Sequence, residues 1–139
     1  MLHEFVVPGI PVSLQCKNSE RRLAWKEKVA TVARSAVDES DLIMFQDVAV
    51  LIVHFCFDWD EGDLDNIAKP IVDGLVGPVM SDDRQITQLT LRRTELGGEV
   101  VHLLDPSPCL TGALEGAYPE RSDFVYLRID RAPDHARLP

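Results

Sequence analysis

The longest apolar run in the chain is VAVLIVHFCF at 48–57. It is rich in β-branched and aromatic residues on both alternating sets of positions, which predicts a central strand over 47–57, buried on both faces. Upstream, Trp25, Val29, Val32, Ala33 and Ala36 recur at the helical period and predict a helix over 19–37. A short strand over 3–7 precedes it and ends at the turn cluster Pro8-Gly9-Ile10-Pro11. Downstream, Ile67, Ile71 and Leu75 share one stripe and predict a helix over 64–75. Pro70 lies inside it, where proline kinks or shortens a helix, and Gly77-Pro78 marks its end.

The remaining pattern is strand-like. We expect a strand over 86–94, a turn at Gly97-Gly98, and a second strand over 100–104 paired with the first as a hairpin. The segment 105–121 carries Pro106, Pro108, Gly112, Gly116 and Pro119 and reads as a long loop. A last strand is expected over 124–129, then a flexible tail from about 131 to 139. No repeat or interdomain linker interrupts the pattern. The fold class is α/β (α+β): a single compact domain over 1–139, with a mixed, partly antiparallel sheet packed by two helices.

Composition sharpens this only in places. The chain has 139 residues, 45% hydrophobic and 27% charged, an ordinary globular balance. No apolar run approaches the roughly 20 residues of a membrane span, and the N-terminus lacks the basic-then-apolar order of a secretory signal. The expected location is therefore cytoplasmic. Cys16, Cys56 and Cys109 are too few and too scattered for a disulfide framework or a zinc site, and Cys56 reads as core. His3, His54, His102 and His135 form no ligand motif; His54 and His102 fall in predicted strands and read as structural.

Chemistry enters directly after the central strand. Asp58, Asp60, Glu61, Asp63 and Asp65 put five carboxylates within eight residues. Such a cluster repels itself unless a cation neutralises it, and oxygen-only ligands favour a hard ion such as Mg²⁺, Mn²⁺ or Ca²⁺. Asp83 arrives from the far side of the predicted helix. Lys69 follows Asp65 by four residues, a spacing that puts both on one helical face. Carboxylates with one lysine on a strand–helix–strand frame point to phosphodiester hydrolysis. Two local readings compete with it: Asp63 as a plain N-cap completed by Asn66, and Asp65–Lys69 as an ordinary ion pair. An EF-hand reading fails, because its sixth position would be Asp63 and its twelfth Lys69.

The ordered set Asp63-Leu64-Asp65-Asn66-Ile67-Ala68-Lys69, Asp73-Gly74-Leu75 and Ser81-Asp82-Asp83-Arg84-Gln85-Ile86 resembles the RusA family of Holliday junction resolvases. FVVPGIPVSLQ and the Trp25-Lys26 helix resemble its N-terminal part, so the likeness spans roughly 4–104. The resemblance implies a RusA-like fold in a bacterial or phage-encoded homodimer that nicks four-way DNA junctions in recombination and repair, with Mg²⁺ as cofactor and Mn²⁺ able to substitute. It implies Asp63, Asp65 and Asp83 as metal-binding catalytic carboxylates, Lys69 as the catalytic lysine, and Asn66, Asp73 and Asp82 behind them.

The net charge of −9 departs from the basic footprint of most DNA-binding proteins. Basic residues are nonetheless clustered. Lys17, Arg21, Arg22, Lys26 and Lys28, at and just before the first half of the first helix, with Arg92 and Arg93 on a later strand, are candidate DNA contacts; a solvated face is the alternative for the helix. Arg121 and Arg128 extend the same expectation. The acidity supports a rival function, a catalytically weak or inactive acidic dimeric module that binds a protein partner. A third is a nuclease for flaps or RNA.

Overall fold

The computed structural model describes residues 1–58, 63–97 and 105–133. The strands are β1 (His3–Pro8), β2 (Val48–Cys56), β3 (Ile86–Glu95) and β4 (Phe124–Arg131); the helices are α1 (Ser19–Ala36), α2 (Ala68–Leu75) and α3 (Pro108–Ala117). The strand order is β1-β4-β2-β3. β4 runs antiparallel to both β1 and β2, whereas β2 and β3 are parallel, with Val48 opposite Ile86 and Cys56 opposite Glu95. The sheet is therefore mixed and the fold α+β, as the sequence pattern indicates. Parallel neighbours require a crossover, and here it contains α2.

β2 is central, and its two faces feed two cores. Val48, Val50 and Ile52 lie in the larger one, with Trp25, Val29 and Ala33 of α1 and Ile71 and Leu75 of α2. Val53 and Phe55 lie in the other, with Phe57, Phe124, Tyr126 and Ala117 of α3. The Phe55 and Phe124 rings stack at 4.9 Å. Cys56 and His54 are fully buried in β2.

Three expectations change. The segment 105–121 is not a long loop, because it holds α3, a third helix. Ser107 caps it by accepting the Leu110 amide, and Pro108 sits at the first helical position, where its missing N–H costs nothing. Leu110, Ala113 and Leu114 pack on the second core, while Gly112 and Gly116 have open space beside them. The helix expected over 64–75 is divided into a 3-10 turn at Leu64–Ile67 and α2. Pro70 consequently falls in the first turn of α2 and breaks no hydrogen bond there. Arg131 belongs to β4 rather than to a tail. The strand expected over 100–104, His102, Asp60, Glu61 and the tail from 134 lie outside the described residues.

α1 and α2 cross closely because of one glycine. A Cβ on Gly74 would stand 2.9 Å from the Lys26 carbonyl oxygen and from the Val29 side chain. Asp73-Gly74-Leu75 thus splits three ways. Asp73 reaches Lys69, Gly74 admits α1, and Leu75 is buried in the core.

Candidate active site

The chain leaves the end of β2, passes Asp63 and Asp65, runs through α2 and reaches Asp83 at the start of the 3-10 turn that precedes β3. The acids of the motif therefore arrive from the two ends of one crossover. Lys69 connects them: it follows Asp65 in the chain and stands 3.7 Å from Asp83 in space.

The ordinary Asp65–Lys69 ion pair of the competing local reading is not formed. Lys69 Nζ instead donates to Asp73 Oδ1 at 2.8 Å. The cause is the 3-10 turn, which winds more tightly than an α-helix, so the four-residue spacing from Asp65 to Lys69 does not stack one above the other. The hydrogen bond and charge of Asp73 raise the Lys69 pKa above its ordinary value of 10.5, and Asp83 adds to this. The amine stays protonated at neutral pH and acts as a fixed cation rather than a base.

Asp63 precedes the 3-10 turn at its cap position, but its side chain accepts no capping hydrogen bond there. The plain N-cap reading of Asp63 therefore fails. Asn66 Nδ2 donates to Asp63 Oδ2 at 3.4 Å, and the Asn66 carbonyl accepts the Leu14 amide at 2.8 Å. Asn66 thus joins the motif to the segment between β1 and α1. Asp82 caps the turn at Asp83 by accepting the Arg84 amide and pairs with the Arg84 guanidinium at 2.9 Å, which holds its carboxyl down to about 2. Asp63, Asp65, Lys69 and Asp83 are exposed, while Asn66, Asp73 and Asp82 are half-buried.

The basic residues divide. Lys26, with Ala30 and Arg34 on the same stripe of α1, lines an open cavity of about 1020 Å³ whose other wall carries Asp73, Ser81, Asp82 and Asp83. Arg34 was not among the sequence candidates; its spacing of eight residues from Lys26 carried the signal. Lys17 lies exposed just before α1 and Arg21 exposed in its first turn, Arg22 donates to the Leu14 carbonyl, and Lys28 lies against Gly9. Arg92 and Arg93 do not act together, since neighbours on a strand face opposite ways. Arg92 lines a cavity on the α3 side of the sheet with Tyr126 and Arg128. Arg128 is paired with Asp130 at 3.0 Å and Arg121 with Asp58 at 3.9 Å, so neither contributes an uncompensated charge.

The donor set suits a hard divalent cation, since Asp63, Asp65 and Asp83 offer only carboxylate oxygens. Among the described residues no group of three or more His, Cys, Asp or Glu stands ready-made around one point. What the geometry does supply is a protonated lysine between two acids on an open face. Such a face suits the handling of phosphate esters.

A four-stranded mixed sheet with this acid–lysine face on its crossover defines the class: an α+β protein with an exposed acid–lysine group. A family model described as endodeoxyribonuclease RusA matches residues 13–102. The chain belongs to the RusA endodeoxyribonuclease family, whose members cut within DNA chains. No curated protein matches the chain. Among the described residues no helix is long and apolar enough to cross a membrane.

Proposed function

We propose that this protein is a divalent-metal-dependent, structure-selective endodeoxyribonuclease that resolves four-way DNA junctions in recombination and repair. The observation that carries the reading is Lys69, held protonated between Asp73 and Asp83 on an exposed face of the crossover that also carries the exposed Asp63 and Asp65 in its chain. Asp63, Asp65 and Asp83 would hold Mg²⁺, or Mn²⁺ in its place. When bound, the cation supplies Lewis-acid polarisation of a phosphate and a more acidic water. Lys69 offsets the charge that develops as the phosphodiester breaks. Lys26 and Arg34 guide a flanking phosphate through the adjoining cavity. A homodimer would present two such faces to a nearly two-fold junction, in the cytoplasm of a bacterium, with either host or phage as the source of the gene.

The net charge of −9, with Arg121 and Arg128 already paired, supports a second reading: an acidic dimeric module that binds a protein partner and cuts slowly or not at all. One experiment separates the two. Labelled four-way junction and matched linear duplex are incubated at low salt with Mg²⁺, Mn²⁺ or EDTA. Paired, metal-dependent nicks in the junction that vanish in Asp65→Asn are the expected result. Absence of cleavage by a protein that still binds Mn²⁺ would favour the acidic module, and cleavage of flaps or RNA alone would reassign the substrate.

A further inference from the structure

We propose that Gln85 is a positioning residue that sets Asp83 into the cation-holding group; this rests on the nuclease reading of Asp83. Gln85 is only 7% exposed, one of two buried polar side chains among the described residues. Its amide bridges two segments far apart in sequence. Oε1 accepts the backbone amides of Ser81 at 3.0 Å and Asp82 at 2.9 Å. The Ser81 hydroxyl lies 2.8 Å from Oε1 and 2.8 Å from the Met44 carbonyl, with one proton to share between them. Nε2 donates to the carbonyls of Ile43 and Gln46, each at 3.0 Å.

These partners fix both the identity and the orientation of the side chain. Two backbone amides require an acceptor at one end and two carbonyls require a donor at the other. A carboxylate would face two carbonyl oxygens, and a methionine would leave all four backbone groups unserved. Asp83 is enclosed by this arrangement. Gln85 holds the amide of Asp82, the residue before Asp83, and Gln85 itself lies two residues after, closing the one-turn capping box. The Asp83 backbone therefore has little freedom to move without breaking the Gln85 bonds. Its carboxylate is exposed, with a 3.7 Å contact to Lys69 and its immediate neighbours Asp82 and Arg84 about it, so its placement follows the backbone that Gln85 holds. Groups behind a metal ligand commonly change metal affinity by about 10- to 100-fold when removed.

The test compares wild type, Gln85→Met, and Ile129→Val, a core change on β4 that lowers stability away from the site. Each is followed by thermal unfolding, by Mg²⁺ titration of junction cleavage, and by Mn²⁺ binding from electron paramagnetic resonance without DNA. For Gln85→Met we expect half-saturation by both cations to rise about tenfold or more, with the cleavage rate largely restored at saturating metal. Ile129→Val should melt lower with unchanged half-saturation. Equal half-saturation in Gln85→Met and wild type would overturn the proposal and leave Gln85 a purely structural staple. Should Gln85→Met fail to fold, Gln85→Glu keeps the acceptor end and takes its place in the same comparison. If the wild type cleaves no DNA, the nuclease reading falls while Mn²⁺ binding still decides Gln85. Tenfold weaker binding in the variant would support it, and equal binding, or none by the wild type, would overturn it.

Discussion

Lys69 donates a 2.8 Å hydrogen bond to Asp73, one helical turn further along α2. The pair lies at the surface, so its effect on stability is small while its effect on the direction of the amine is large. Lys69→Ala should slow junction cleavage on the order of 10²-fold or more, as loss of a charge-stabilising donor does elsewhere. Asp73→Asn keeps a hydrogen-bond acceptor and loses the charge, so a smaller loss of about tenfold is expected, with unfolding free energy changed by less than about 1 kcal/mol. Single-turnover cleavage with urea unfolding of the same samples checks both. An Asp73→Asn rate equal to wild type would mean that Asp83, not Asp73, orients the lysine.

That contact also shows where sequence reading stops. The β2 strand, its two-sided burial and the α1 stripe follow from the kinds of residue and their period, because burial of apolar surface dominates those elements. The motif residues were legible as a set. The partner of Lys69 was not, since spacing counts residues without knowing that a 3-10 turn separates Asp65 from α2. α3 was hidden by its own glycines and prolines, although Ser107-Pro108 is a helix-start signal. Gln85 lies inside the recognised motif, yet its role depends on carbonyls some forty residues upstream, which no local pattern can reveal.

Gly74 should tolerate no side chain. Alanine ordinarily stabilises a helix relative to glycine by about 1 kcal/mol, but here its methyl would meet the Lys26 carbonyl oxygen at 2.9 Å. Backbone on both sides cannot yield as a flexible side chain can, so α1 must move away from α2. Gly74→Ala should destabilise the protein by roughly 1–3 kcal/mol, read as a shift of the urea midpoint at unchanged slope. A neutral or stabilising result would show that the two helices are farther apart in solution.

α3 depends on Ser107 at both ends of its hydroxyl. The oxygen accepts the Leu110 amide at 3.1 Å, and the proton goes to Glu4 Oε2 at 2.6 Å, which ties the helix to β1. Ser107→Ala removes the cap and the tie together and should cost about 0.5–2 kcal/mol. Amide hydrogen exchange localises the effect: protection should fall in Thr111–Ala117 before it falls in β2 or β4. Loss of protection spread evenly over the sheet would show that α3 does not open separately.

Tyr126 completes the same cluster, its hydroxyl donating to Glu4 from a side chain that is nearly buried. Burial, and then the Glu4 hydrogen bond and charge, push its pKa from the ordinary 10 up to about 12. A raised folded value means that the fold favours the neutral phenol. Its contribution to stability is then complete below about pH 10 and disappears as pH rises toward about 12. Tyr126→Phe lacks that ionisation altogether. The wild type should therefore be the more stable protein at pH 9, and its advantage should shrink steadily across pH 10 to 12 as the phenolate forms against Glu4. Urea unfolding of both proteins through this window gives the difference directly, and groups common to the two cancel. Parallel curves across the window would show that Tyr126 ionises as easily in the folded protein as in the unfolded chain, and that its bond to Glu4 does not anchor β1 to β4.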